Sequence, residues 1–383
     1  MVFASTLFTR AVDPVIPKIA ADLAIDVKTV ALLSTAFTFP YAFVQPVLGT
    51  IADFFGKTRL MNISLAIVAA ATLVCAVASD FSILVAMRIV AGMLAGGIFP
   101  VGIAMVGDLV PVRERQVAIG RLLAVGLTGN LLGATISGVL GDLFGWRGVF
   151  FVIGAFGLVV AAIAYFAFRG LQAAKPKDFN LAAVAAGFGS VFSDPRAKIC
   201  FGAVFFEGIF IHGLFPYVAL LLLMTGVTQS SYAGLVLAGF GAGGIAYALA
   251  VGVLVARLKE RMLMVCGAIL AAIALVLVAL NMAWYVQCAV FLLLGLGFYM
   301  LHGCIQVHVT ELSDTARGAA MSMHSCTFFF GQAIGPIYYG FTFSHAGTTK
   351  PILAGAVVVL VVGLICARFL RHRRHGITLA EGP

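Results

Sequence analysis

The segment GTIADFFGKTR at residues 49–59 has a counterpart in GVLVARLKER at residues 252–261, with Gly49 and Gly252 separated by 203 positions. Working outward, Gly92 and Gly295 share that separation, as do Asp108 and Glu311. Beyond them the second copy is one residue shorter, so Arg115 pairs with Arg317, Gly129 with Gly331 and Gly133 with Gly335, all 202 apart. Six matches in register mark an internal duplication, the signature to look for in carriers built from repeats. The copies differ where chemistry would sit: Asp53 and Gly56 of the first are Ala256 and Lys259 in the second.

The matched segments lie in a chain unlike a water-soluble globule. Of its 383 residues 62% are hydrophobic, 10% are charged and 43 are glycine, against norms nearer half apolar and a quarter charged. At about 20 apolar residues per membrane crossing, a dozen crossings would use roughly 240 residues, leaving almost nothing for a soluble domain. Hydropathy and turn signals divide the first copy into spans at 2–20, 30–52, 61–78, 81–106, 118–143 and 149–168. The second copy follows at 199–223, 232–255, 262–282, 284–309, 319–343 and 352–369. The expected organisation is a six-helix bundle at 1–169, a basic central loop at 170–198, and a second bundle with a short basic tail at 199–383. The first apolar stretch runs into further spans without a small-residue cleavage site, so no cleavable signal is expected.

The excess of positive charge is a topology signal. Eighteen of the 24 basic residues fall in the even-numbered connections, the central loop and the tail, among them Lys57, Arg59, Arg113, Arg115, Arg257 and Arg261. Only Lys18, Lys28, Arg147 and Lys350 fall on the opposite face. Basic residues concentrate on the cytoplasmic side, so both termini are expected there, and no nucleic-acid role is needed to explain the charge. The seven cysteines are scattered singly through apolar stretches, without the spacing of a metal site or disulfide framework.

Several motifs resemble those of the major facilitator superfamily, over the whole chain. Gly49, Asp53, Gly56, Lys57 and Arg59 are similar to its GxxxDxxGRxR signature. The resemblance implies that Asp53 latches the cytoplasmic ends of the two bundles, since a carboxylate can face the positive end of a neighbouring helix. Arg88 with Gly92, Gly96 and Gly97 resembles the RxxxG motif of the fourth span, which implies a part for Arg88 in proton handling. A structural ion pair is the other reading. Exporters of this superfamily carry GxxxGPxxGG in the fifth span; here VGLTGNLLGA has Asn130 in place of the proline and Ala134 in place of the last glycine. Gly331, Gly335 and Pro336 in GQAIGPIYYG carry a similar motif in the repeated position, and are either gating residues or small residues that let helices approach closely. The ADL after Pro17 and LHGCIQVHVTELSDTARG are most like the drug and sugar efflux branch, including arabinose-efflux permeases. The implied fold is all-helical, twelve spans in two pseudo-symmetric bundles, with spans one, four, seven and ten lining a cavity.

Charges inside spans are functional candidates by default. Arg10 and Asp13 share one face of the first span and could serve the cavity or simply neutralise each other. Glu207 is the only acid within the spans of the second copy. Ionising a carboxyl is costly away from water, and a group that travels neutral with a proton is what a coupled carrier requires. The alternative is an acid that stays protonated and bonds to a neighbouring helix. His212 lies about 140° around the helix from Glu207, unless Gly208, Gly213 and Pro216 break it. His302 with Tyr299 and Gln306 forms another polar set, and Tyr41, Gln45 and Asn130 either add hydrogen bonds or pack. His308 and His324 are expected at the cytoplasmic interface.

A nucleotide-binding GxxxxGK[ST] loop is absent from the sequence, so the energy would come from an ion gradient and no cofactor is expected. The leading expectation is a monomeric proton-coupled exporter of small organic molecules in a bacterial inner membrane. Glu207, Asp13 and Arg88 would handle protons. An importer of an organic anion or sugar is the alternative, because two buried arginines could hold a carboxylate. A receptor without flux and a membrane-embedded enzyme are remote, the latter for want of a nucleophile, base and metal arrangement.

Overall fold

A computed structural model of the chain describes residues 1–169, 181–313 and 316–370. Among these, the elements are helices. In chain order they are α1 (Val2–Arg10), a 3-10 turn (Asp13–Val15), α2 (Ile16–Leu23), α3 (Val27–Phe55), α4 (Lys57–Ala76), α5 (Phe81–Leu109), α6 (Val112–Ala167), α7 (Leu181–Phe192) and α8 (Arg196–Phe210). A second 3-10 turn (His212–Tyr217), α9 (Val218–Met224), α10 (Ser230–Ala279), α11 (Trp284–Thr310), α12 (Arg317–Ala346) and α13 (Thr349–Phe369) complete them. Among the described residues, eight helices are long and apolar enough to cross a membrane.

Two of the helices are too long for one crossing. α6 has 56 residues and α10 has 50, whereas about 20 residues suffice for a hydrocarbon core about 30 Å thick. Each breaks where the sequence reading places a loop. Gly145 takes φ 66° and ψ 178°, a backbone open to glycine, and Lys259 takes φ 55° and ψ 156°. The first and seventh expected spans are interrupted instead by 3-10 turns holding Pro14 and Pro216. Proline lacks the N–H that continues the ladder and crowds the preceding turn. The basic loop expected at 170–198 contains the Ala-rich helix α7; residues 170–180 and the tail from 371 lie outside the described residues.

The duplication is a duplication of contacts. A side chain at Gly92 would run into the carbonyl of Phe37, and one at Gly295 into that of Phe240. Gly129 lies against Phe3 as Gly331 lies against Phe205, and Gly133 lies against Leu7 as Gly335 lies against Ile209. Each neighbour is displaced by the same 203 or 202 positions as the glycine it touches. A Gly92→Ala variant should therefore lose about 1–3 kcal/mol through overpacking, seen as a lower melting temperature in detergent. Gly252→Ala, whose added carbon meets nothing within 4 Å, should melt no lower than the parent.

The N-terminal helices meet the C-terminal ones mainly through α3 against α12 and α6 against α10. The polar contacts there cluster away from the basic face. Thr35 donates to the Ala333 carbonyl at 2.7 Å, and Lys28 Nζ lies 2.9 Å from Ser344 Oγ. Asp142, near the end of the first limb of α6, caps α10: its Oδ1 accepts from the Ser230 amide and its Oδ2 from the Ser231 amide, both at 2.8 Å. Lys18 Nζ joins the same Oδ1 at 2.8 Å. The amides at a helix start have no partner within the helix, so a carboxylate there is favoured by both hydrogen bonding and the helix dipole. Nearby, Arg147 and Trp146 donate to Asp22, and the Arg147 guanidinium holds that carboxyl below its usual range. On the basic face Lys57 pairs with Asp108, and Arg196 pairs with Asp194 and Glu311, each within one set of helices.

Candidate functional site

Where the two broken rods face each other, the structure collects the polar residues of the chain's interior. The turn after α1 brings Asp13 back beside Arg10, with Oδ2 3.3 Å from Arg10 Nη1, while Ser34 of α3 donates to Asp13 Oδ1 at 2.6 Å. Arg10 Nη2 donates to Gln332 Oε1 on α12 at 2.6 Å, and the guanidinium lies over the Phe215 ring, 4.8 Å from its centroid. Arg10 is 5% exposed and Asp13 0%, so the pair is withdrawn from both water and lipid. A buried charge is tolerated only when paired and hydrogen-bonded.

Arg88 is also buried, but it is held differently. Its Nε donates to the Leu33 carbonyl at 3.3 Å and its Nη1 to the Phe8 carbonyl at 3.2 Å, and it rests 4.1 Å from the centroid of Phe37. It ties α5 to α1 and α3 through main-chain oxygens, and it is close enough to Arg10 and Asp13 to act on both.

A second centre lies within the C-terminal helices. Glu207 of α8 is fully buried, and its Oε2 lies 2.7 Å from Nδ1 of His302 on α11. The His302 ring stacks on Phe298 with centroids 4.7 Å apart and neighbours His324 of α12 at 4.9 Å. Because α8 gives way to the 3-10 turn after Phe210, His212 sits in an aromatic nest of Phe215, Phe240, Phe298 and Phe328, all at ring centroids of 4.8–5.1 Å, and shares Phe298 and Phe328 with His302.

The other sequence candidates are spread around these centres. Tyr41 is buried against Phe37 and against Phe329 of α12, the latter at 4.5 Å. Gln45 is buried one turn further along α3. Tyr299 and Gln306 are half-buried on α11, Tyr299 within electrostatic reach of Arg10, and Asn130 is half-buried on α6. Gly331 and Gly335 lie in the packing of α12 against α8 and the second 3-10 turn, where Tyr217 donates to the Pro336 carbonyl at 2.7 Å. Of the signature at the second-to-third loop, Gly56 makes the turn with φ 83°, Lys57 reaches Asp108, and Arg59 is exposed. The side chain of Asp53 and the surroundings of Gly49 lie outside what the structure describes, so the latch assigned to Asp53 has no geometry here. His308 and His324, expected at an interface, are instead buried at 0% and 2%, because α11 and α12 turn those faces inward; His308 Nε2 lies 3.1 Å from Glu260.

Three members of these centres were missed by sequence reasoning: Gln332, Ser34 and His324. The repeat held a signal for one of them, since Gln332 is the 202-residue counterpart of Asn130, as His212 is of Arg10. Removing the Gln332 amide should leave an Arg10 N–H buried without its acceptor, a loss of about 1–3 kcal/mol. Gln332→Ala is thus expected to melt lower than the parent, whereas Gln332→Glu keeps an acceptor and should not lose this much.

Compared with known proteins, the chain matches the family model described as Major Facilitator Superfamily over residues 1–310 and 200–382. It is 25% identical over 372 residues to Multidrug resistance protein 2 of Bacillus subtilis, covering 95% of this chain and 92% of that protein. A stretch of 148 residues is 30% identical to Quinolone resistance protein NorA of Staphylococcus aureus, 39% of this chain and 38% of NorA. In structure it resembles a bacterial homolog of the human lysosomal transporter Spinster in an inward-facing, unoccupied conformation, with TM-score 0.72, 16% identity and 96% of both chains covered. It also resembles a POT family transporter in complex with 5-aminolevulinic acid, with TM-score 0.75, 13% identity and 95% and 93% of the chains covered. At such identities the structural likeness speaks for the fold alone.

Proposed function

This chain belongs to the Major Facilitator Superfamily and is a multi-pass membrane transporter of small molecules, and we propose that it expels its substrate in exchange for protons. The observation that carries the proton coupling is Glu207, fully buried and 2.7 Å from a histidine. An acid that must ionise without water needs a partner able to take its proton, and His302 is in place to do so. The substrate pocket is the polar centre around Arg10, Asp13 and Gln332, bordered by Tyr41, Phe329 and Tyr299. Helices within 1–169 and within 199–383 move as two bodies that expose this pocket alternately to either face, with 170–198 as their connection. The face closed by Asp142, Thr35 and Lys28 is the outer one, both termini are cytoplasmic, and the protein works as a monomer in a bacterial inner membrane.

The similarity to proteins named for multidrug and quinolone resistance supports efflux. The arginines favour it over import of an anion. Arg10 already meets Asp13 and Gln332, and Arg88 already meets two carbonyls and an aromatic face; only Arg10 Nε and Arg88 Nη2 lack a partner among the described residues, so neither guanidinium offers a wholly open fork to a carboxylate.

The test uses purified protein in liposomes under an imposed pH gradient, with a quinolone as probe. The quinolone is expected to move opposite to the protons. Movement with them would make the protein an importer, and saturable binding without flux would make it a receptor.

A further inference from the structure

Three titratable side chains form a line leaving the centre of the protein through the C-terminal helices, away from the pocket around Arg10. Glu207 Oε2 lies 2.7 Å from His302 Nδ1, and the His302 and His324 rings follow at 4.9 Å between centroids, tilted by 57°. The ends of α8, α11 and α12 nearest these residues, at Arg196, Thr310 and Arg317, belong to the basic face. Counted from those ends at about 1.5 Å per residue, Glu207 is roughly 16 Å deep, His302 roughly 12 Å and His324 roughly 10 Å. The line therefore climbs toward the basic face. His324 is 2% exposed, and neither of its ring nitrogens has a hydrogen-bond partner among the described residues. A histidine buried only for structure is held by such a partner, whereas one that accepts a transient proton needs a nitrogen free to receive it.

We propose that His302 and His324 are a proton relay joining Glu207 to the basic face, separate from the path of the substrate. This rests on the proton-coupled reading above. The Glu207 carboxyl gives its proton to Nδ1 of neutral His302, breaking O–H and forming N–H. The imidazolium so formed releases the other proton from Nε2 through one bridging water to a free nitrogen of His324, and His324 releases it to water reaching it from the basic face. The tautomer left on His302 resets when the ring turns over, and the Glu207 carboxylate is reloaded from the opposite face. Phe298 and Phe328 flank the His302 ring and keep it between its two partners. The other titratable groups facing this line are His212 on the second 3-10 turn, Cys366 on α13 and Tyr247 on α10. Arg10 faces His212, and on α11 itself His308 continues toward the surface, paired with Glu260.

The experiment compares His302→Gln, His324→Gln, His324→Ala and Glu207→Gln in liposomes, with a quinolone as probe and a pH dye inside. Quinolone flux driven by a pH gradient, and the proton movement that accompanies it, should slow by about 100-fold in the histidine variants, the low end for loss of a proton-transfer group. Quinolone exchange at equal pH on both sides needs no proton transfer and should stay at the parent rate. Imidazole in the buffer should restore driven flux to His324→Ala. Full driven flux in both histidine variants, with Glu207→Gln blocked, overturns the relay and leaves the proton-coupled reading standing. Full driven flux in Glu207→Gln as well overturns both. Driven flux and exchange slowed equally, without rescue by imidazole, makes the histidines structural and also overturns the relay.

Discussion

A Glu207→Gln protein is expected to exchange substrate across a membrane at the parent rate and to build no concentration ratio under a pH gradient. The amide has nearly the volume of the carboxyl and can still donate to His302 Nδ1, so the buried contact at 2.7 Å survives in form. What it cannot do is release a proton. One proton crossing about 100 mV supplies about 2.3 kcal/mol, which sustains roughly a fiftyfold ratio of substrate at about 1.4 kcal/mol per factor of ten. The variant should fall from that ratio to near equality. The measurement is the steady-state ratio of a labelled quinolone between liposome lumen and buffer. A variant that holds the parent's ratio removes Glu207 from the coupling and makes Asp13, the buried acid beside Arg10, the next to test.

Replacing Asp142 by alanine should shift the balance between closed and open states at the face away from the basic residues. In the closed arrangement the carboxylate satisfies two amides at the start of α10 and the ammonium of Lys18, all at 2.8 Å. Opening separates α6 from α10, and water takes over the amides. Hydrogen bonds to a charged group contribute about 1.5–3 kcal/mol each at buried sites, but the Asp142 side chain is 23% exposed and that of Lys18 31%. Solvent screening lowers the sum to about 1–2 kcal/mol, a shift of about 5–30-fold in population. Spin labels at positions 144 and 285, whose native Phe144 and Tyr285 are both exposed on that face, would report it in a background freed of native cysteines. The long-distance population should grow in Asp142→Ala and grow less in Asp142→Asn, which keeps one acceptor. An unchanged distance distribution would show that packing of α3 on α12 closes this face without the cap.

The two variants act at different depths and on different quantities. Asp142 bears on which face is open, and Glu207 on whether opening is tied to a proton. Combining them should give additive effects, because they lie on separate helices with no shared partner.

How much was legible beforehand follows from what each feature depends on. The apolar spans, the turns at Gly145 and near Lys259, and the duplication are written along the chain, because a membrane-crossing helix must be apolar over its length wherever it is placed. Pro216 announced its break in the same local way, whereas the break at Pro14 fell in a span read as continuous. The closeness of Arg10 and Asp13 needed only helical spacing. Even the contacts of Gly92 and Gly295 were implied by their shared register, though not by what they would touch.

The partners of the buried charges were another matter. Gln332 lies 322 positions from Arg10, and His302 lies 95 from Glu207; which side chains meet depends on how each helix is rotated about its axis. In a membrane protein the sequence constrains that rotation weakly, since lipid and protein interior are both apolar and a helix face reads the same against either. For this reason His324, expected from its position at the cytoplasmic interface, belongs to the interior, and His212, close to Glu207 in sequence, is turned by the break at Phe210 among phenylalanine rings and not onto Glu207. Composition and repeat thus settled that the chain is a duplicated helical carrier, while the packing of α8, α11 and α12 decided which acid meets which base.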